Sequence, residues 1–179
     1  MKTKMFLLLA FVAALSGCDK LKDATTVPID TSLKADIPVV VTAPTKKLFD
    51  QAEEVTAITF TKTQDLTLAS NEDIEPYLSK IKSIDLKSLV VTVTGLSAGQ
   101  TINSVALDVA GVGNVFTQTN ISMTNNTFTP VISATILDNV ATKLTSDKKI
   151  TLTVSGNASG PMTFTVSLNL GVTVTAGIL

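Results

Sequence analysis

Two stretches place a lysine three residues after a serine, Ser79-Lys80-Ile81-Lys82 and Ser146-Asp147-Lys148-Lys149. On a helix that spacing is one turn, close enough for a neutral amine to deprotonate the hydroxyl and make it a nucleophile. Both residue types are common, however, and no Lys-Thr-Gly follows either stretch, so the pattern reads as solvated polar residues near helix ends. Asn71, Glu72, Asp73 and Glu75 form the densest acidic patch, next to Tyr77, the single tyrosine. A calcium loop needs oxygens at regular spacing and a glycine at the sharp turn, and Ile74 and Pro76 interrupt that arrangement. A carboxylate pair acting on sugars would want aromatic rings for stacking, and Tyr77 alone is a poor platform. Acids gathered at a helix start are accounted for by the helix dipole. Gly111-Val112-Gly113 has the look of a phosphate cradle, but Phe116 stands where the third glycine would be. A strand pattern follows it instead of a helix, so a hairpin turn is expected.

The absences narrow the chemistry further. The chain of 179 residues has no His, no Arg, no Trp and one Cys. Without His, the commonest general acid–base group is missing. Without Arg there is no bidentate clamp for phosphate or carboxylate. One Cys allows neither an internal disulfide nor a Cys/His metal cage. The formal net charge of −1 gives no electrostatic footprint for nucleic acid. At 45% hydrophobic and 16% charged residues the chain is not a disordered polyelectrolyte. No catalytic, cofactor-binding or metal-ligating residue is therefore expected, and no enzyme activity.

The N-terminus carries an address. Lys2 and Lys4 precede an apolar run from Met5 to Leu15, long enough for a secretory h-region and too short to span a bilayer as a helix. Leu15-Ser16-Gly17-Cys18 follows, and this segment resembles the lipobox of bacterial lipoproteins. The resemblance implies Sec-type export, thioether attachment of a diacylglyceryl group to Cys18, cleavage before it and acylation (palmitate-type) of the new amine. It also implies a lipid-anchored place in the bacterial cell envelope, with the outer membrane as the expected location. Asp19 is an inner-membrane retention signal in one sorting system, so the leaflet is left open. Acyl chains at about 0.8 kcal/mol per buried CH₂ hold without a transmembrane segment. Loss of Lys2 and Lys4 with the leader makes the mature chain more acidic, which argues against an overall electrostatic grip on headgroups.

Residues 1–17 read as the lipoprotein signal peptide. Residues 18–36, the lipidated Cys and a mixture of charge, Thr and Pro28, read as a flexible tether. Residues 37–179 read as one domain governed by period two. Phe164, Val166, Leu168, Leu170, Val172, Val174 and Ala176 alternate with polar or small residues, as a half-buried antiparallel strand requires. Ile150, Leu152 and Val154 form the preceding strand, joined to it by a turn over Gly156–Pro161. Further strands are expected at Ile37–Thr42, Val55–Lys62, Ile84–Thr94, Ile102–Val109, Val115–Met123 and Thr127–Val131. Helical spacing appears at 73–81, with Asp73 as cap, and at 133–144. The pattern predicts a mainly β protein, an antiparallel β-sandwich, immunoglobulin-like or jelly-roll-like, with one or two short helices.

Two other β readings fit less well. A transmembrane barrel would need aromatic girdles, and the whole chain has seven Phe and one Tyr. Recurrent Thr-x-Thr pairs resemble ice-binding arrays, but their spacing along the chain is irregular, and Thr simply suits the outer face of a strand. The expected function is a membrane-anchored, non-enzymatic accessory, structural or protein-interaction lipoprotein. Its expected partners are the bilayer, through acylated Cys18, and an envelope protein, with no nucleic acid. The alternative is a glycan- or lipid-binding sandwich module.

Overall fold

Alternation in the last strand sets the architecture. The computed structural model describes residues 25–43 and 57–178. Its eight strands are β1 (Thr26–Val41), β2 (Ile58–Thr67), β3 (Ile81–Thr94), β4 (Thr101–Val109), β5 (Gly113–Ser122), β6 (Thr127–Phe128), β7 (Lys149–Ala158) and β8 (Met162–Gly177). Along β8 every even position from Met162 to Ala176 is buried. The odd positions before Gly177 are exposed or half-buried. β8 is flanked by β1 and β3, both antiparallel, so its apolar face is shielded from the sides as well as from below.

The strands form two four-stranded antiparallel sheets, ordered β1-β8-β3-β6 and β2-β7-β4-β5. The pairings β1 with β8, β2 with β7, β3 with β6 and β4 with β5 are nested, as if one long hairpin had been rolled up. That winding is the jelly-roll topology, one of the two sandwich types the sequence allowed. The core between the sheets is wholly apolar: among the described residues no polar or charged residue is buried. Phe60 and Phe164 meet edge to face across it, with centroids 5.2 Å apart. Gly156 makes room for that contact. A Cβ there would lie 2.0 Å from the Ser104 carbonyl oxygen and 2.8 Å from Phe60 Cζ.

The two sheets differ in length, and the difference explains the helices. Leu168 and Leu170 of β8 face the same void as Ile150 and Leu152 near the start of β7. The rest of β8, to Gly177, therefore overhangs the second sheet. A 3₁₀ segment (Glu75–Lys80) and helix α1 (Ala134–Asp147) cover this overhang. Ile74, at the start of the first, is fully buried; Val140, Ala141 and Leu144 are the buried side of the second. Ser133 caps α1, accepting a hydrogen bond from Ile136 N, and Lys148 ends it in the left-handed region at φ 59°.

Several boundaries differ from those expected. The tether predicted for residues 18–36 is not loose throughout: β1 starts at Thr26 and pairs with β8 along its whole length. Alternation was obscured there because the outer face carries Pro28, Asp30, Lys34 and Asp36, and the inner face near the start is only half-buried. The signal peptide and Cys18 lie outside the described residues. The predicted helix at 73–81 is 3₁₀, and Asp73 does not cap it. Asn71 Oδ1 instead accepts from the backbone N–H groups of Asp73 and Ile74. The expected turn at Gly156–Pro161 is shorter, because β7 continues to Ala158. The strand predicted over Thr127–Val131 shrinks to Thr127–Phe128, whereas β2 runs on to Thr67.

Candidate functional site

The fold separates the residues that could have acted together. Ser79 lies in the 3₁₀ segment and Lys82 beyond its end in β3, both exposed, so the helical turn that would join them does not exist. Ser146 is in α1, where its hydroxyl donates to the Lys143 carbonyl and to Asp147 Oδ1. Lys149 is already in β7, past the left-handed turn at Lys148. The carboxyl of Asp147 is held below its ordinary pKa, chiefly by the hydrogen bond from Lys143, then by that from Ser146 and by the Lys143 charge. This is an exposed i,i+4 pair near a helix end, where it supports the helix.

The acidic patch is spent on the free edge of β1. Asn71 Nδ2 donates to the Ser32 carbonyl at 2.9 Å and to Thr31 Oγ1 at 3.3 Å, and Thr31 Oγ1 donates to Asp73 Oδ2 at 2.7 Å. Asn71 thereby satisfies an edge carbonyl that no neighbouring strand could reach. Glu72 and Glu75 point into solvent. Among the described residues no three His, Cys, Asp or Glu side chains converge as metal ligands would. Gly111 and Gly113, at φ 79° and 101°, make the β4–β5 hairpin turn, as the sequence suggested.

Three concavities stand out among the described residues. Between the sheets and α1 lies a small apolar void of about 20 Å³ lined by Leu86, Leu107, Leu137, Leu152 and Leu168 among others. That is room for about one water and is too small for an acyl chain. An open groove of about 470 Å³ runs between α1 and the edge of β3, lined by Lys82, Ser83, Asp138, Thr142, Thr145 and Ser146 with Ile84 and Ala141 at its floor. A second, of about 360 Å³, lies where Asn71–Asp73 meet Thr31–Lys34. Sequence reasoning missed both grooves. The signal for the first was the amphipathic helix itself, whose polar side needed a sheet edge to border it.

The outer face of the second sheet also holds something the chain order concealed. Register sets Thr59, Asn157, Ser104 and Thr119 in one rank across four strands. Thr61, Ser155, Ala106 and Thr117 form the next. Irregular spacing along the chain thus becomes alignment across the sheet, contrary to expectation. Thr63 and Thr153 hydroxyls lie 3.2 Å apart, and Asn157 Nδ2 donates to Ser104 Oγ. Strand-to-strand twist of about 20–25° keeps such ranks from forming a flat lattice, so they act as cross-strand ties.

No known protein-family model matches the chain, and no curated protein matches it. Among solved structures it is similar to a chain from Desmodium yellow mottle tymovirus, with 13% identity and a TM-score of 0.30, covering 86% of this chain and 90% of that one. The jelly-roll assignment stands on the strand order given above.

Proposed function

We propose that this chain is a bacterial lipoprotein, acylated at Cys18, whose jelly-roll domain serves as a non-enzymatic accessory or protein-interaction module in the cell envelope. The observation that carries the reading is the lipobox Leu15-Ser16-Gly17-Cys18 behind a correctly built leader. The fold supports it in one respect. Strand β1 begins at Thr26, eight residues after Cys18, so only a short segment would separate the anchor from the sheet. Among the described residues no titratable side chain is buried.

The alternative reading, a glycan-binding module, is favoured by the groove between α1 and β3, whose hydroxyls and Asp138 could accept and donate to sugar hydroxyls. A lipid-binding module finds less support, since the interior void is too small. Mass spectrometry of the N-terminal peptide tests the anchor. Wild type should carry the acylated Cys18, and Cys18→Ala should lose acylation and stable membrane attachment. An unmodified mature N-terminus at another position would overturn the lipoprotein reading. Saturable glycan binding abolished by Asp138→Ala would replace the interaction module with the alternative.

A further inference from the structure

We propose that one end of the sandwich, carrying Lys80, Lys82 and Ile178 around Thr25, faces the bilayer and rests on phosphate-bearing lipid headgroups. The inference rests on acylation of Cys18 and adds an orientation and a contact surface to it.

The geometry starts from where the chain leaves the fold. Ile178 N–H donates to the Thr25 carbonyl at 2.9 Å, which closes the end of the β1–β8 pair. A Cβ placed on Gly177 would lie 3.4 Å from Lys82 Cε, 3.7 Å from the Lys80 carbonyl and 3.9 Å from the Thr25 carbonyl. These residues therefore form one patch at the point where the anchor attaches. Lys80 and Lys82 are exposed, and Ile178 is an apolar side chain left 48% exposed. Lys82 is the extra residue of a β-bulge, between the pairs Ile81–Ala176 and Ser83–Thr175.

Reach decides the orientation. From Cys18 to Thr25 the chain can span at most about 25 Å when fully extended. β8, with 16 residues, is about 50 Å long at 3.3–3.4 Å per residue. A tether half as long as the domain keeps the Thr25 end nearest the membrane.

Charge points the same way. At the opposite end, the described turns 95–100, 123–126 and 159–161 contain no charged residue, while the β1–β2 connection that leaves the fold there carries Lys46, Lys47, Asp50, Glu53 and Glu54, all outside the described residues. Among the described residues the strand acids nearest the lysine patch are Asp30 and Asp85, both level with Thr173, with Glu72, Asp73 and Glu75 in the neighbouring connection. Thr173 lies four residues before Gly177, about 13 Å back along the strand. Attraction to a charged surface decays over about 8 Å at physiological salt. The lysines at the tip are thus inside the field of the headgroups and the strand acids are largely outside it. The net acidity of the chain does not describe this end.

The test uses the acylated mature protein in phosphatidylcholine vesicles with and without phosphatidylglycerol. Fluorophores are placed at Ser83→Cys, near the patch, and at Gly160→Cys, at the far end where a Cβ meets nothing within 4 Å. Spin-labelled headgroup lipids should quench the first and spare the second. In the anionic vesicles, Lys80→Glu with Lys82→Glu should cut the Ser83 quench at least twofold. With the N-terminus shown to be acylated, equal quenching at both sites, or no response to the charge reversal, would overturn the orientation while leaving the anchor standing. A mature N-terminus without acyl chains would overturn both.

Discussion

Truncating Leu168 to alanine is the most direct probe of the core. Leu168 is 1% exposed on β8, between Ala35 of β1 and Val91 of β3. It also lines the void of about 20 Å³ between the sheets, so its surroundings already fail to close completely. Removing three carbons at about 0.8 kcal/mol each loses roughly 2.4 kcal/mol of transfer free energy. The space vacated, about 60–80 Å³, adds roughly 1.5–2 kcal/mol at about 24 cal/mol per Å³ if the walls stay in place. Leu168 sits on a central strand hydrogen-bonded on both sides, as are β7 and β4 opposite it, so little collapse is expected and the total is about 4 kcal/mol. Urea unfolding of the mature chain in a Cys18→Ser background would measure it, with Thr165→Ala on the outer face of the same strand as control, expected to cost about 0.5 kcal/mol. A loss below about 1 kcal/mol for Leu168→Ala, at unchanged denaturant dependence, would refute the packing argument.

Three further outcomes follow from named contacts. Gly156→Ala should destabilise by about 1–3 kcal/mol through overpacking against Ser104 and Phe60, read as a lowered Tm; an unchanged Tm would mean that β4 moves freely. Asp147, whose folded pKa is depressed, contributes stability at neutral pH that is lost as pH falls through that lowered pKa, and Asp147→Asn should remove this part of the acid limb in a pH–Tm series. A fluorophosphonate probe should leave Ser79 unlabelled, since no helical turn brings Lys82 to it; stoichiometric labelling abolished by Ser79→Ala would establish a nucleophile.

How much of this was legible in the sequence depended on whether the signal was local. β8 was readable because each even residue is apolar and each odd one small or polar, with β1 keeping one register beside it along its whole length. The first half of β1 was not. Pro28 and the charges around it mimic a tether, and what makes this stretch a strand is the partner β8, more than a hundred residues away in the chain. Prolines are tolerated there because β1 is an edge strand whose outward N–H groups need no ladder partner. In β5, Val115 and Phe116 are both buried, which breaks period two; the register shift between Leu107 and Asp108 inserts Val115 as a bulge and turns both inward. The grooves and the aligned hydroxyl ranks depend on which strands lie side by side, and alternation alone does not specify neighbours.

The treatment of the sheet edges constrains how such a domain can meet another protein. On β1, Pro28, Pro38 and the Asn71 hydrogen bond to Ser32 block addition of a further strand. Along β3 the stretch before its short pairing with β6 carries bulges at Lys82 and Lys87, and α1 lies beside it. β5 is interrupted by its bulge and by Asn120 at φ 57°. β2 places Lys62, exposed, in the phase that elsewhere holds Phe60 and Leu66. The edge strands β1, β2 and β5, and the stretch of β3 beyond the two-residue edge strand β6, therefore resist backbone pairing by different devices. A partner recognised by this domain would have to read side chains on the outer faces, in the grooves or at the ends. If the lysine-bearing end lies on lipid, the charge-free turns at the far end become the part most distant from the bilayer. An interface built on the turns 95–100, 123–126 and 159–161 would depend on Asn, Ser, Thr and exposed Met123.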